Sequence, residues 1–153
     1  MLPTPTKYFL TAASAEGPTK LTAFDNALLA AGVGNTNLLR VSSILPPACQ
    51  WTEKFSISEG ALLPIAYGSI VSEVPGELIA AAVAVGIPDD GRCGVIMEHS
   101  GMMSAREAEE HVVMMVKEAF ASRGKKLAEV KAAATEHRVR HTGCAFASVP
   151  LWY

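Results

Sequence analysis

Residues 62–87 read LLPIAYGSIVSEVPGELIAAAVAVGI, two long apolar runs parted by Pro75-Gly76. The β-branched and aromatic content of Leu62 to Val74, and the Ile and Val of Leu78 to Ile87, predict two strands. Neither run alternates cleanly between apolar and polar residues, so both belong to strands buried on two faces. Beyond them, Pro88-Asp89-Asp90-Gly91 is a turn, and Cys93 to Glu98 predicts another strand. Ser104-Ala105-Arg106-Glu107 has the form of a capping box. It opens a helix with the stripe Ala108, Val112, Met115, Ala119, closed by Gly124. Leu127 to His137 reads as helix by propensity, while Lys131 to Val139 reads equally as a strand. Gly143 to Leu151 predicts a final strand.

Toward the N-terminus, Cys49 to Gly60 is irregular and Asn37 to Ser42 predicts a short strand stopped by Pro46-Pro47. Phe24, Ala27, Leu28 and Ala31 recur at helical spacing, with Thr22 as N-cap and Gly32 and Gly34 at the end. Lys7 to Ser14 predicts a first strand. The chain holds no internal repeat, low-complexity tract or linker. Strands in this order with two helices define an α+β or α/β layered sandwich, and the Pro and Gly turns favour antiparallel or mixed pairing.

The 153 residues fit a single domain, 1–153, and half of them are hydrophobic, with a mean hydropathy of +0.25. The apolar runs are too short to span a bilayer as a helix, and Tyr8 to Ala13 is too short for a secretory signal. These features predict a cytoplasmic protein with no membrane partner. Thirteen basic and 15 acidic residues give a net charge of −2, which argues against nucleic acid. The basic cluster Arg123 to Lys126 falls where a helix ends and complements its dipole. Three widely spaced cysteines, Cys49, Cys93 and Cys144, argue against a disulfide framework.

Several chemistries fail on spacing. Gly32-Val33-Gly34 lacks the third glycine of a dinucleotide loop, since Asn37 stands there, and it follows a helix where such a loop follows a strand. His137, His141 and Cys144 carry no accompanying metal-ligand motif, so no metal is expected and surface histidines are the simpler reading. No Gly-x-Ser-x-Gly elbow occurs; His99 has the chemistry for a serine-hydrolase triad, but nothing in the spacing requires it.

Ser42-Ser43 is different because of its neighbours. It lies between the apolar Leu38, Leu39 and Val41 and the rigid run Ile44-Leu45-Pro46-Pro47. A serine hydroxyl held by a rigid backbone can attack the carbonyl carbon of the preceding residue and convert the amide to an ester. β-Elimination then cuts the ester and leaves dehydroalanine, which hydrolyses to a pyruvoyl group. Such a step needs a strained turn and an oxyanion donor, which Asn35 or Asn37 can offer.

The run from Gly34 through Asn37-Leu38-Leu39-Arg40-Val41-Ser42-Ser43-Ile44-Leu45-Pro46-Pro47 resembles the processing segment of pyruvoyl-dependent arginine decarboxylases. Ala23-Phe24-Asp25-Asn26-Ala27-Leu28 resembles the first helix of that family. Gly94-Val95-Ile96-Met97-Glu98-His99-Ser100-Gly101 resembles its catalytic strand, and Ala134-Thr135-Glu136-His137 and Gly143-Cys144-Ala145 its last strands. The resemblance covers nearly the whole chain in order.

It implies a layered αββα sandwich and cleavage between Ser42 and Ser43 into a β chain, 1–42, and an α chain, 43–153. Ser43 would become the covalent pyruvoyl cofactor. Asn37 would assist processing, Glu98 would donate a proton, and Asp25 would receive the guanidinium of the substrate, L-arginine, which is converted to agmatine. A guanidinium suits a carboxylate because two N–H donors can meet two oxygens. A proton donor needs its carboxyl pKa raised, which an apolar setting near Val95, Ile96 and Met97 would do. The resemblance further implies a homo-oligomer, a trimer or pair of trimers, with active sites between subunits. Other basic amino acids as substrates, or a processing-dead scaffold or binding module of the same fold, remain open on the sequence.

Overall fold

A computed structural model describes all residues, Met1–Tyr153. The elements in chain order are β1 (Lys7–Tyr8), β2 (Thr11–Glu16), α1 (Lys20–Ala30), β3 (Asn37–Arg40), β4 (Ile44–Leu45) and β5 (Gln50–Trp51). They continue with β6 (Leu62–Ser72), β7 (Leu78–Pro88), β8 (Gly94–Gly101), α2 (Ala105–Ser122), β9 (Leu127–Arg138) and β10 (Gly143–Trp152). A six-stranded sheet runs β3-β6-β10-β1-β5, with β2 also paired to β10, and a four-stranded sheet runs β4-β8-β7-β9. Pairing is antiparallel except between β3 and β6 and between β1 and β5.

Three apolar clusters make these sheets a sandwich with a helix on each outside. Ile79, Ala81, Val83 and Val85 of β7 face Ala145, Ala147 and Val149 of β10 across the middle layer. The alternate residues of β7, Ala80, Ala82 and Ala84, meet Val112, Val116 and Phe120 of α2. Ala23, Ala27 and Leu28 of α1 cover Leu63, Ile65 and Phe146 on the other sheet. The αββα arrangement is thus present. The unbroken apolar run of β7 has a direct cause: a period of two buries one half-set against the helix and the other between the sheets.

Several details differ from expectation. The two runs parted by Pro75-Gly76 do not pair with each other; β6 and β7 lie in different sheets, so that turn crosses layers. Two strands that each need two covered faces both gain them by stacking rather than by lying side by side. The N-cap of α1 is Thr19, and Thr22 closes a reciprocal capping box with it. Gly32, at φ +83°, ends the turn that follows α1. In α2, Val116 takes the buried position expected of Met115. Residues 127–138 form a strand, settling the helix-or-strand ambiguity: antiparallel pairing with β7 outweighs their helical propensity. Arg123 donates to the Ala119 carbonyl and Lys125 to the Cys93 carbonyl, so these two cations of the basic cluster tie down backbone oxygens.

Candidate active site

β3 is an edge strand of the six-stranded sheet and β4 is an edge strand of the other. The chain therefore steps from one layer to the next between them. The Val41 N–H donates to the Ile65 carbonyl of β6 at 3.0 Å, the last bond to the first sheet. The Ser43 carbonyl accepts from the Ile96 N–H of β8 at 2.8 Å, the first bond to the second. The Ser42–Ser43 peptide bond is the bridge between two anchored layers. Ser42 is exposed and Ser43 half-buried. The prolines that follow, Pro46 and Pro47, cannot donate to a sheet ladder, which keeps β4 to two residues.

Glu98 belongs to the same place. The register of β4 on β8 pairs Ile44 with Val95, which sets Ser43 opposite Ile96. Glu98 lies two residues further along β8 on the same face as Ile96. It is turned toward β6, where a Cβ on Gly68 would stand 3.3 Å from its own Cβ. The missing side chain of Gly68 makes the space for this carboxylate. Burial pushes the Glu98 pKa upward, and the Arg40 guanidinium, 3.8 Å away, opposes that rise. Arg40 is itself held, donating to the Tyr67 carbonyl at 2.8 Å and lying over the Tyr67 ring at 4.4 Å.

The other sequence candidates lie elsewhere in the chain. Asn37 begins β3, and its amide donates to the Gly60 carbonyl at 2.9 Å. Five residue steps, about 16 Å of extended chain, separate it from Ser42. Asp25 is exposed on α1, which packs on the outer face of the six-stranded sheet. Its neighbour Phe24 turns inward onto Tyr67 and Phe146, centroids at 6.3 and 5.9 Å. One copy of the chain thus assembles Ser42, Ser43 and Glu98, and leaves Asn37 and Asp25 outside that cluster.

His99, on the opposite face of β8 from Glu98, stacks on His111 of α2 at 4.6 Å and 20°. Burial and the neighbouring imidazole push its pKa down. It faces the helix layer and not a serine hydroxyl, which removes the basis for a hydrolase triad. His137 is not a surface histidine; its Nε2 meets a Glu16 carboxylate oxygen at 2.5 Å. His141 is exposed. Arg40, Tyr67 and Gly68 are the site residues that motif reading missed. The signal for Gly68 was present, as a glycine inside an otherwise apolar strand marks close approach by a neighbour.

These surroundings fit a pyruvoyl group at position 43. The residue's carbonyl is fixed by a backbone donor, its N-terminal side is unconstrained by any ladder, and a carboxyl with a raised pKa lies on the adjacent strand. Residues 7–150 match the family model described as pyruvoyl-dependent arginine decarboxylase. The chain is 50% identical to the pyruvoyl-dependent arginine decarboxylase of Methanocaldococcus jannaschii over 150 residues, 97% of this chain and 91% of that one. It is 45% identical to the enzyme of the same name from Thermococcus kodakarensis over 151 residues, covering 98% and 96% of the two chains. It is 49% identical to that of Thermococcus sibiricus over 139 residues, covering 90% and 88%.

Proposed function

The chain belongs to the pyruvoyl-dependent arginine decarboxylase family, and on that premise we propose that it cuts itself between Ser42 and Ser43 and decarboxylates L-arginine to agmatine. The observation that carries this reading is the bridge at Ser42–Ser43, anchored to one sheet on each side, with Glu98 beside it.

In processing, Ser43 Oγ attacks the Ser42 carbonyl carbon and the 42–43 amide bond breaks as the ester forms. Loss of the Ser43 α-proton and cleavage of the ester C–O bond release the chain 1–42. Water then converts the dehydroalanine at 43 to the α-keto acyl (pyruvoyl) group, still amide-linked to Ile44, and frees ammonia. A bound pyruvoyl group supplies a ketone for the substrate amine and an electron sink for the bond to carbon dioxide. The Ile96 N–H holds the residue-43 carbonyl in place throughout. Glu98 delivers a proton to the substrate Cα, a role that its burial favours by keeping the carboxyl protonated to higher pH.

Asp25 then acts from a neighbouring copy. Asp25 lies exposed on α1, outside the six-stranded sheet, whereas Glu98 faces Gly68 between the sheets, and this separation favours a site completed between subunits of a homo-oligomer, a trimer or pair of trimers. The same argument puts the processing role of Asn37 in the adjoining copy. Exposed Leu39 and Ile44 flank the bridge and supply apolar area for such contact. No helix of the chain is long and apolar enough to cross a membrane; with all three cysteines unpaired, a cytoplasmic enzyme is the reading that fits.

Intact mass spectrometry with arginine and a carbonyl-trapping reductant tests the proposal. The expected result is two fragments split after Ser42, the larger carrying a blocked end that traps arginine in preference to ornithine or lysine. A single uncut chain unreactive with amines would overturn it and favour a processing-dead scaffold.

A further inference from the structure

Arg40 is an anchored cation whose hydrogen-bonding capacity is largely unspent. Its guanidinium gives one bond to the Tyr67 carbonyl at 2.8 Å and rests on the Tyr67 ring at 4.4 Å. The nearest Glu98 oxygen lies at 3.8 Å, beyond hydrogen-bond range. Guanidinium offers five N–H donors in a planar fork that matches a carboxylate. The side chain is 56% exposed, so a ligand at the bridge can reach it, whereas Glu98 is 24% exposed behind it.

The remaining surroundings of Glu98 are neutral. β6 presents Gly68, and β7 presents Val83 as the paired residue. On β8 itself, Ile96 and Ser100 flank it, and the Ser100 hydroxyl donates to the Ser69 carbonyl. Arg40 is the charge that bears on Glu98.

We propose that Arg40 binds the α-carboxylate of the substrate, exchanging Glu98 for it, and returns to Glu98 once carbon dioxide has left. The inference rests on the decarboxylase reading above. An incoming amino acid brings an ammonium and a carboxylate. Glu98 takes the ammonium proton, which the amine must lose to react, and the substrate carboxylate replaces Glu98 as the partner of Arg40. When the Cα–carboxylate bond breaks, carbon dioxide departs neutral and Glu98 returns its proton to Cα. Glu98 is then an anion again and Arg40 regains it. Arg40 thus has a carboxylate partner before carbon dioxide leaves and again once Glu98 has returned its proton, and between the two the negative charge rests on the substrate carbon and its electron sink.

The test uses the processed, oligomeric enzyme and two probes that lack the reactive amine. 5-Guanidinopentanoate keeps the carboxylate of arginine, and pentylguanidine carries a methyl group in its place. Calorimetry with wild-type enzyme is expected to show the carboxylate probe binding roughly 10- to 100-fold more tightly. Arg40→Gln loses that preference while keeping its affinity for pentylguanidine, and Arg40→Lys recovers part of it. In the wild type, a carbon-13 NMR titration of Glu98 moves to higher pH with 5-guanidinopentanoate and stays put with pentylguanidine, a readout that needs no variant.

Equal affinity for the two probes in wild-type enzyme that cleaves itself and releases carbon dioxide from arginine would overturn the Arg40 assignment alone. A preference that survives Arg40→Gln would do the same. Wild-type enzyme that releases no carbon dioxide from arginine would overturn the decarboxylase reading and this inference with it.

Discussion

The chain passes between its two sheets four times, and the crossings at Val41–Ser43 and at Val139–Thr142 are built in opposite ways. At the second, Glu16 at the end of β2 gathers the loop: its carboxylate meets His137 Nε2 at 2.5 Å and accepts from the His141 N–H at 2.8 Å and the Arg140 N–H at 3.4 Å. A Cβ on Gly143 would stand 2.5 Å from that carboxylate, so a larger residue there would have to displace the Glu16 and His137 side chains. At the first, two backbone bonds hold the flanks and nothing grips the peptide bond between them. One crossing spends its polar groups on closing the corner. The other leaves a carbonyl and a hydroxyl available, which self-cleavage requires. On the proposed reading, the reactivity of Ser42–Ser43 would come from what the surrounding structure withholds from it.

The largest expected effect breaks the reactive crossing. Ser43→Ala should give one uncut 153-residue chain with no arginine-dependent release of carbon dioxide, read by intact mass and trapped radiolabelled gas. Its sandwich should stay folded, since both anchoring bonds use backbone atoms. Glu98→Gln should still cleave but lose about 10²–10⁴-fold in kcat. Near-wild-type turnover in that variant would remove Glu98 from proton delivery. Mixing subunits sharpens the same point: co-expressed Asp25→Ala and Glu98→Gln chains, each inactive alone, should regain partial activity in hybrid oligomers. Persistent inactivity of verified hybrids would place both groups in one chain's site.

At the closed crossing the effects are smaller and fall on stability. Glu16→Gln should cost about 1–2 kcal/mol in urea unfolding while leaving cleavage intact. Burial pushes the Glu16 pKa up, but hydrogen bonds from the His141 and Arg140 N–H groups and from His137 outweigh it, and the net direction is down. A depressed carboxylate contributes stability that is present above its unfolded pKa and lost as pH falls through the folded value. Wild type should therefore lose stability below about pH 4 by a step that Glu16→Gln lacks. Glu98 has the reverse sign. With its folded pKa raised, the contribution is present in acid and lost as pH rises through that value. Glu98→Gln should accordingly melt slightly higher than wild type at neutral pH and no higher in acid. Parallel melting curves from pH 4 to 8 check both signs.

Much of this was legible in residue order. The Ser42-Ser43 pair between an apolar strand and two prolines stood out in the sequence and falls at a crossing between sheets, and a strand ending at Glu98 placed a carboxylate near an apolar wall. The Glu16–His137 corner was not legible, because its partners stand 121 positions apart and meet only when β2 and β9 lie in facing sheets. Arg40 escaped notice for a related reason. In sequence it is one cation in a strand, and only the return of β6 beside β3 gives it Tyr67 to rest on and Glu98 to face.

What the sequence determined by itself was local: most of the strands, where glycine and proline break them, and which serine pair stands between an apolar strand and two prolines. Those follow from side-chain periodicity, backbone sterics and the chemistry of adjacent groups. Which layer each strand joined, and hence which charges came to face one another, was decided by tertiary structure alone. β6 and β7 show the reason: two strands apolar on both faces are satisfied only by stacking, and no periodicity within either states which sheet it enters.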